Sequence, residues 1–244
     1  MKKTIMTMLI TAAFLAPACA VHAQDDTHCW AGREIAAGQY ALCQAKARAM
    51  YLATDETEAQ AAFAKCRVKY GRAWAKLRAR NLDSGTLSCS GERFEDNGDG
   101  TVTDHLTALV WEKKDHLGGI HDADFSPTWT NDDADHTDAD GEAFSVFLAN
   151  LNAGAGFAGS NDWRLPTFEE LQTILLPETY PCTTNPCLDP VFLPDGGDLC
   201  WTASTSPDFQ TGAWTVWTTT GGVEAHAVKV GGAFVRAVRF GSGN

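Results

Sequence analysis

The segment spanning residues 162–171 constrains the fold more than any other stretch of the chain. Trp163 and Leu165 are large apolar residues two positions apart, so on an extended strand both side chains lie on one face. Thr167 and Glu170 have the spacing of a capping box, in which each side chain satisfies a free backbone N–H at a helix start. We therefore predict a buried strand that leads into a capped amphipathic helix. The apolar face of that helix comprises Phe168, Leu171, Ile174 and Leu175.

Residues 1–23 have the composition of an export signal: two lysines precede an apolar core, and residues 21–23 suit cleavage before Gln24. Cys19 leaves a lipoprotein as the alternative, although the residues before it match a lipidation signal poorly. No later segment is long and apolar enough to span a membrane. We expect an exported protein, periplasmic or extracellular.

Charge is distributed unevenly along the chain, which contains 19 Lys/Arg and 31 Asp/Glu. Residues 24–88 carry 10 basic and 7 acidic side chains, whereas residues 89–244 carry 7 basic and 24 acidic ones. A domain with so large a negative charge repels polyanions. Nucleic acid is therefore excluded as a partner of the larger part, and the change in charge places a domain boundary near residue 88.

Residues 31–53 and 55–81 predict an antiparallel two-helix hairpin, with an Asp-led capping box formed by Asp55 and Glu58. One stripe of the second helix is apolar and another is basic. The basic stripe could bind an acidic partner or a polyanion, or it is a solvated helix face. The apolar stripe comprises Phe63, Cys66, Tyr70, Ala73 and Leu77, and the basic stripe comprises Lys65, Lys69, Arg72, Lys76 and Arg80.

Seven of the eight cysteines remain after removal of the predicted signal, and in an exported chain most of them should form disulfides. If the two helices turn near residue 54, their cysteines lie level with each other. A hairpin of this size buries too little surface to be stable without such links. The predicted disulfides are Cys43–Cys66, Cys29–Cys89 and Cys182–Cys187, which leaves Cys200 as a buried free thiol.

Residues 93–104 predict a β-hairpin, because Asn97-Gly98 and Asp99-Gly100 supply the positive-φ residues of a tight turn. The same residues approach the calcium loop of an EF-hand. In that register Leu106 stands where the bidentate glutamate is needed, so the match is incomplete.

Several stretches in order resemble one known family: Gly98–Asp104, Leu109–Lys114, Phe147–Asn152, Asp162–Pro166, Glu170–Gln172, the cysteines 182 and 187, Trp201–Thr205, Ala213–Trp214 and Val235–Arg239. Together they cover residues 92–240 and resemble the Lcl C-terminal domain, which is named for the C-terminal region of a bacterial collagen-like adhesin. The residues that carry this resemblance as a structural signature are Trp111, Asp162, Trp163, Arg164, Pro166, Thr167, Glu170, Trp201, Trp214, Arg236 and Arg239.

The resemblance implies an α+β, C-type-lectin-like fold with two short helices, a small mixed or antiparallel sheet and long loops, here preceded by the two-helix hairpin. The residues themselves predict helices at about 141–152 and 168–176 and a strand that starts at Trp201. They also predict a β-meander over residues 213–219, 223–230 and 233–240, with Gly-Gly turns between its strands.

The most polar part of the chain is residues 121–142, where a cluster of carboxylates could bind calcium through oxygen ligands. No complete calcium motif is present, and a solvated acidic loop is the alternative. The candidate ligands are Asp133, Asp135, Asp138 and Asp140. Among the eight tryptophans, Trp111, Trp163, Trp201 and Trp214 coincide with the family signature, so packing in the core is their expected role. Trp129 lies in the acidic loop and Trp217 alternates with core residues, so these two are the candidates for stacking on a ligand such as a sugar.

No nucleophile elbow, HExxH motif or phosphate loop appears in the sequence. We therefore predict a non-enzymatic binding or adhesion module that recognises a glycan or cell-surface ligand through its loops, with calcium as the one cofactor considered. The alternative is a structural or assembly subunit of the cell envelope that docks a protein partner through the hairpin. The family implies a trimer only for the founding adhesin, so oligomerisation stays open.

Overall fold

The computed structural model of the chain describes residues 18–53, 56–81, 92–131 and 136–241. Two long helices precede a region of short strands and helices. In chain order the elements are α1 (Ala18–Ala53), α2 (Glu56–Asn81), β1 (Phe94–Asp96), β2 (Thr101–Asp104), β3 (Leu109–Glu112), α3 (π-helical over Ala143–Leu148 and α-helical over Ala149–Leu151), α4 (Phe168–Leu171, extended by a 3₁₀ turn over Gln172–Ile174), a 3₁₀ turn (Pro190–Phe192), β4 (Leu199–Thr205), β5 (Gly212–Trp217), β6 (Val223–Val228) and β7 (Val238–Phe240).

The helices α1 and α2 form the predicted hairpin, and Cys43 and Cys66 are joined by a disulfide with a Cα–Cα distance of 5.7 Å. Tyr40 and Tyr70 stack between the helices with their ring centroids 4.4 Å apart. The helix α1 begins at residue 18, upstream of its predicted start. Most of the predicted export signal and Cys89, the partner predicted for Cys29, lie outside the described residues. No helix in the described ranges is long and apolar enough to cross a membrane.

Two antiparallel sheets follow, with strand orders β1-β2-β3-β7 and β4-β5-β6. The predicted hairpin at residues 93–104 is confirmed as β1 and β2. The predicted meander is wrong in its third strand, because β7 leaves β6 and pairs with β3 in the other sheet. An alternating strand can pair with any open edge of matching hydrophobicity, so its sequence pattern does not specify which edge it joins.

The segment around α4 has the structure that its sequence predicts. Thr167 Oγ1 accepts a hydrogen bond from the Glu170 backbone N–H, and Glu170 Oε2 accepts one from the Thr167 N–H, so the capping box is complete. The side chains of Trp163 and Leu165 are buried. Arg164 donates to both carboxylate oxygens of Glu170 at 2.7 Å, whereas Asp162 is exposed and lies outside this ion pair.

The hairpin packs against the sheet region through a shared apolar core. Phe63 of α2 is fully buried, and its ring lies 5.3 Å from Phe168 and 6.4 Å from Trp214. The Gln60 side chain donates to the Val223 carbonyl at 2.7 Å and accepts from the Val223 N–H at 2.9 Å, so it pairs with β6 as a neighbouring strand would. The hairpin therefore completes the core of the region that follows it.

Candidate functional site

The loop between β3 and α3 brings together three polar side chains that could hold a cation. Ligand atoms of His116, Asp122 and Asp124 all lie within 4.8 Å of one another, and His116 Nδ1 is 3.8 Å from Asp124 Oδ2. Asp122 also accepts hydrogen bonds from the backbone N–H groups of Asp124 and Gly118, which lower the pKa of its carboxyl. An aspartate held ionised in this way is suited to a hard cation such as calcium.

The calcium ligands predicted further along this loop are not assembled into one site among the described residues. Asp133 and Asp135 lie outside those residues, and Asp138 is exposed. Asp140 accepts hydrogen bonds from the Asn131 backbone N–H at 2.9 Å and from Thr130 Oγ1 at 3.1 Å. These contacts lower the pKa of Asp140 and give it a structural role in closing the loop.

Trp129 is not a surface contact residue, so that prediction is wrong. Its side chain is buried, its indole N–H donates to the Thr202 carbonyl at 2.9 Å, and its ring packs edge-on against Phe144. The ammonium of Lys229 lies 4.0 Å above the ring and also donates to the Thr137 carbonyl. The residues next to Trp129 in the sequence are polar, so the sequence pattern does not indicate that this part of the loop folds back onto the core.

Trp217 is partly buried and lies far from Trp129 along the second sheet. It is the last residue of β5, next to the turn that leads into β6, whereas Trp129 hydrogen-bonds through its backbone to Lys229, just beyond the other end of β6. The two candidate stacking residues therefore do not form one site. Trp217 remains a candidate by itself.

A network of buried charged groups lies beneath the loop. Glu112 is fully buried, and its Oε1 atom lies 3.0 Å from Lys114 Nζ and 2.8 Å from His121 Nδ1. Its Oε2 atom accepts from the Ala237 N–H at 2.9 Å. Arg236 is also buried and donates to the backbone carbonyl of Glu112 at 2.8 Å. Because each polar group faces a partner, this network fixes β3 to the segment before β7.

Cys200 is a free, buried thiol, as predicted. Burial raises its pKa to about 12, and the carboxylate of Asp195 acts in the same direction. The thiolate is the nucleophilic form of cysteine, so a thiol with this pKa is poorly reactive near neutral pH. Its location in β4 makes it part of the core.

The profile of one protein family, the Lcl C-terminal domain, matches residues 100–239, which is more than half of the chain. The chain belongs to the Lcl C-terminal domain family. Neither the curated proteins nor the solved structures gave a match to it. Membership in this family indicates a domain associated with the bacterial surface.

Within the Lcl C-terminal domain, the signature residues predicted from the sequence are mostly core residues. Trp111, Trp163, Trp201 and Trp214 are at most 2% exposed. Arg239 stacks on Trp163, with its guanidinium carbon 5.4 Å from the ring centroid. The disulfide predicted within this domain, Cys182–Cys187, is also present. The signature therefore specifies the scaffold of the domain.

Outside the Lcl C-terminal domain, the hairpin presents a second candidate surface. A groove of about 400 Å³ runs between α1 and α2, with apolar walls that include Ile35, Ala36 and Leu77. Its α2 side is the predicted basic stripe, of which Lys69, Arg72, Lys76 and Arg80 line the groove.

Sequence reasoning missed two of these features. A short turn separates His116 from Asp122 and Asp124 in the sequence, so only the alternating Asp122-x-Asp124 spacing could have indicated this group. Apolar residues of α1 that recur at alternating intervals of three and four could have indicated the apolar side of the groove on that helix.

Proposed function

We propose that the chain is an exported, non-enzymatic binding module that acts at the bacterial surface and recognises a glycan or cell-surface ligand through its loops. One observation carries this proposal: the loop segments at residues 116–119 and 137–139 are exposed, whereas the tryptophans of the family signature are buried. A rigid scaffold with exposed polar loops is the usual arrangement of a recognition domain.

A C-type-lectin-like fold is part of the proposal. Two short antiparallel sheets, two short helices and long connecting loops are the parts that such a fold requires, and α3, α4 and the two sheets supply them. The family membership of the chain supports the same assignment.

The chemistry of the described residues supports a role in binding over one in catalysis. Cys200 is buried with a raised pKa, and Glu112 is fully buried and engaged by Lys114, His121 and a backbone N–H. A catalytic nucleophile or base must reach its substrate, and neither group is placed to do so.

The charge of the domain favours an uncharged ligand. With 24 acidic and 7 basic side chains after residue 88, it repels sulfated or phosphorylated polymers. Neutral glycans are therefore the expected ligands, and calcium held by the acidic loop is the proposed cofactor, since sugar hydroxyls can complete the coordination of an exposed ion.

A glycan array probed with the oxidised chain from Gln24 onward, with and without millimolar calcium, tests this function. We expect binding to neutral glycans that is lost in the Asp122→Asn/Asp124→Asn variant and weakened in Trp217→Ala. Phe209→Ala alters another partly exposed aromatic residue and should leave binding unchanged. A blank array in both conditions, with protein that gives a native circular dichroism spectrum, contradicts glycan recognition, and binding without calcium dependence contradicts the cofactor.

A further inference from the structure

The helix α1 has two apolar faces, and only one of them is used within the chain. Ala36, Tyr40 and Ala47 are buried against α2 and the core. On the opposite side, exposed apolar residues recur at alternating intervals of four and three, which is the heptad spacing of a coiled-coil seam. We call this set the α1 row: Ala31, Ile35, Gly38, Leu42, Ala45, Ala49 and Leu52.

The larger members of the α1 row are well exposed. The side chains of Ile35 and Leu42 are 61% and 59% exposed, and Leu52 is 41% exposed. Isolated exposed leucines are common in proteins, but seven apolar positions in one helical register form a continuous strip along about six turns. No described residue of the chain lies over Leu42 at the centre of this strip.

The basic side chains of α2 border the α1 row near one of its ends, at Ile35. Lys69, Arg72, Lys76 and Arg80 line the groove that Ile35 and Gln39 line from α1. None of these four cations forms an ion pair with a residue in the part of the chain that the structure describes. By contrast Arg78, on another face of the same helix, pairs with Glu92 at 3.0 Å.

We propose that the α1 row and the basic groove together bind an acidic amphipathic helix of a partner protein. The apolar stripe of that helix would lie along the α1 row, where Gly38 and the alanines allow close approach of its backbone. Its carboxylates would face Lys69, Arg72 and Lys76. An amphipathic helix in an apolar groove is a common mode of recognition, and its flanking charges select the partner and its direction.

Charge complementarity favours this occupant over the two other candidates. A second copy of the chain offers the same apolar row but flanks it with the same basic side chains, so it leaves the groove cations unneutralised. An anionic membrane would attract these cations, but four of the seven row residues are alanine or glycine and would bury little area in lipid.

This inference concerns the hairpin and does not depend on ligand recognition by the loops. Failure of one leaves the other intact, because variants on α1 and α2 should not change binding to a glycan array, and loop variants should not change binding of a helix. The surface gives a specific form to the alternative function, in which the hairpin docks a protein partner. Both functions can belong to the same chain.

The test is a titration of the oxidised chain from Gln24 onward against a fluorescein-labelled synthetic peptide of about four heptads, with leucine at a, alanine at d and glutamate at e and g. A second peptide replaces every glutamate by lysine. We expect the acidic peptide to bind with a micromolar dissociation constant, measured by fluorescence anisotropy, and the basic peptide to bind at least about tenfold more weakly.

Two matched pairs of variants locate the binding surface. Arg72→Glu should weaken binding of the acidic peptide at least about tenfold, whereas Arg78→Glu makes the same charge change outside the groove and should have little effect. Leu42→Glu should weaken binding of the acidic peptide to a similar degree. Leu117→Glu changes a leucine that is 85% exposed in the other domain, and it should have little effect. Unchanged melting temperatures would show that the variants are folded.

Three results would overturn the proposal. The first is equal binding of the two peptides, or equal effects within either variant pair. The second is a dimer in analytical ultracentrifugation that Leu42→Glu dissociates, which would make a second copy the occupant. The third is flotation with phosphatidylglycerol vesicles that Leu42→Glu abolishes while neither peptide binds, which would make the surface a membrane contact.

Discussion

At the scale of single residues, the buried carboxylate of Glu112 connects several parts of the domain. Burial by itself raises the pKa of its carboxyl, but the charge of Lys114 and the hydrogen bonds from His121, Ala237 and Lys114 outweigh burial and keep the pKa below its ordinary value of 4.5. The carboxylate is therefore ionised at neutral pH and is held by three separate parts of the chain.

Replacing Glu112 by glutamine should lower the free energy of unfolding by about 3–5 kcal/mol, because it leaves the Lys114 ammonium buried without a countercharge. Urea denaturation followed by tryptophan fluorescence measures the loss. The double variant Glu112→Gln/Lys114→Met serves as the control, since it removes both charges and should be more stable than the single variant. A double variant less stable than Glu112→Gln would contradict this account of the pair.

The lowered pKa of Glu112 also predicts how stability depends on pH. A carboxyl with a folded pKa below its unfolded value contributes stability that is complete above about 4.5 and is lost as the pH falls through the folded pKa. On acidification below 4.5, the free energy of unfolding of the parent chain should therefore fall more steeply than that of Glu112→Gln. Parallel pH profiles would show that this carboxyl titrates alike in the folded and unfolded chains.

At the scale of elements, short helices and strands are held by specific contacts more than by their own length. The α-helical part of α4 has only four residues, and its start is fixed by the capping box and by the Arg164–Glu170 ion pair. Backbone hydrogen bonds between Arg164 and Val238 attach the preceding segment to β7. The hairpin has longer helices, and a disulfide joins them.

The two disulfides should contribute unequally to stability. Cys43–Cys66 closes a loop with a sequence separation of 23, whereas Cys182–Cys187 closes one of 5. Because the entropy that a disulfide removes from the unfolded chain grows with loop length, Cys43→Ala/Cys66→Ala should cost about 3 kcal/mol and Cys182→Ala/Cys187→Ala about 2 kcal/mol. Thermal melts of the two double variants measure the difference, and a larger loss from the shorter loop would contradict the ranking.

At the scale of the whole molecule, the hairpin and the Lcl C-terminal domain share one hydrophobic core. Phe63 of α2 lies against Phe168 and Trp214, and Ala47 of α1 belongs to the same buried cluster. Arg48 of α1 adds a contact over the Trp214 ring at 5.0 Å and an ion pair with Glu169 at 3.1 Å. Unfolding of the hairpin would expose this side of the domain to water.

Truncation of Phe63 should therefore destabilise both regions together. Phe63→Ala removes a fully buried ring and should cost about 3–5 kcal/mol. Differential scanning calorimetry should show one transition at a lower temperature. The near-UV circular dichroism signal of the domain tryptophans should be lost in that same transition. Leu42→Ala, on the exposed side of α1, should leave the transition in place. Two transitions, of which only one moves, would show that hairpin and domain unfold separately.

Local patterns allowed much of the fold to be predicted. The turn at residues 97–100 and the capped helix at Thr167 depend on residues that are close in sequence. The helical hairpin and Cys43–Cys66 follow from helical spacing and from the position of the turn between the two helices. Patterns along the sequence are therefore enough to predict these features. The ordered family motifs added the identity of the domain. For the candidate site, the sequence located the acidic loop, but two of the four ligands predicted in it, Asp133 and Asp135, lie outside the described residues, so the predicted set stays a prediction.

The sequence by itself determined which segments are helical and which loop is acidic, because these properties follow from spacing and composition along the chain, whereas the scaffold residues followed from the family resemblance. Only the tertiary structure decided that β7 joins β3, that Trp129 is buried beneath its own loop, and that the inner face of the hairpin is taken while the α1 row is exposed. The physical reason is that an apolar residue in a periodic pattern must be covered, but the pattern does not specify by what. Burial depends on which distant surfaces meet, and that is decided by the free energy of the whole fold.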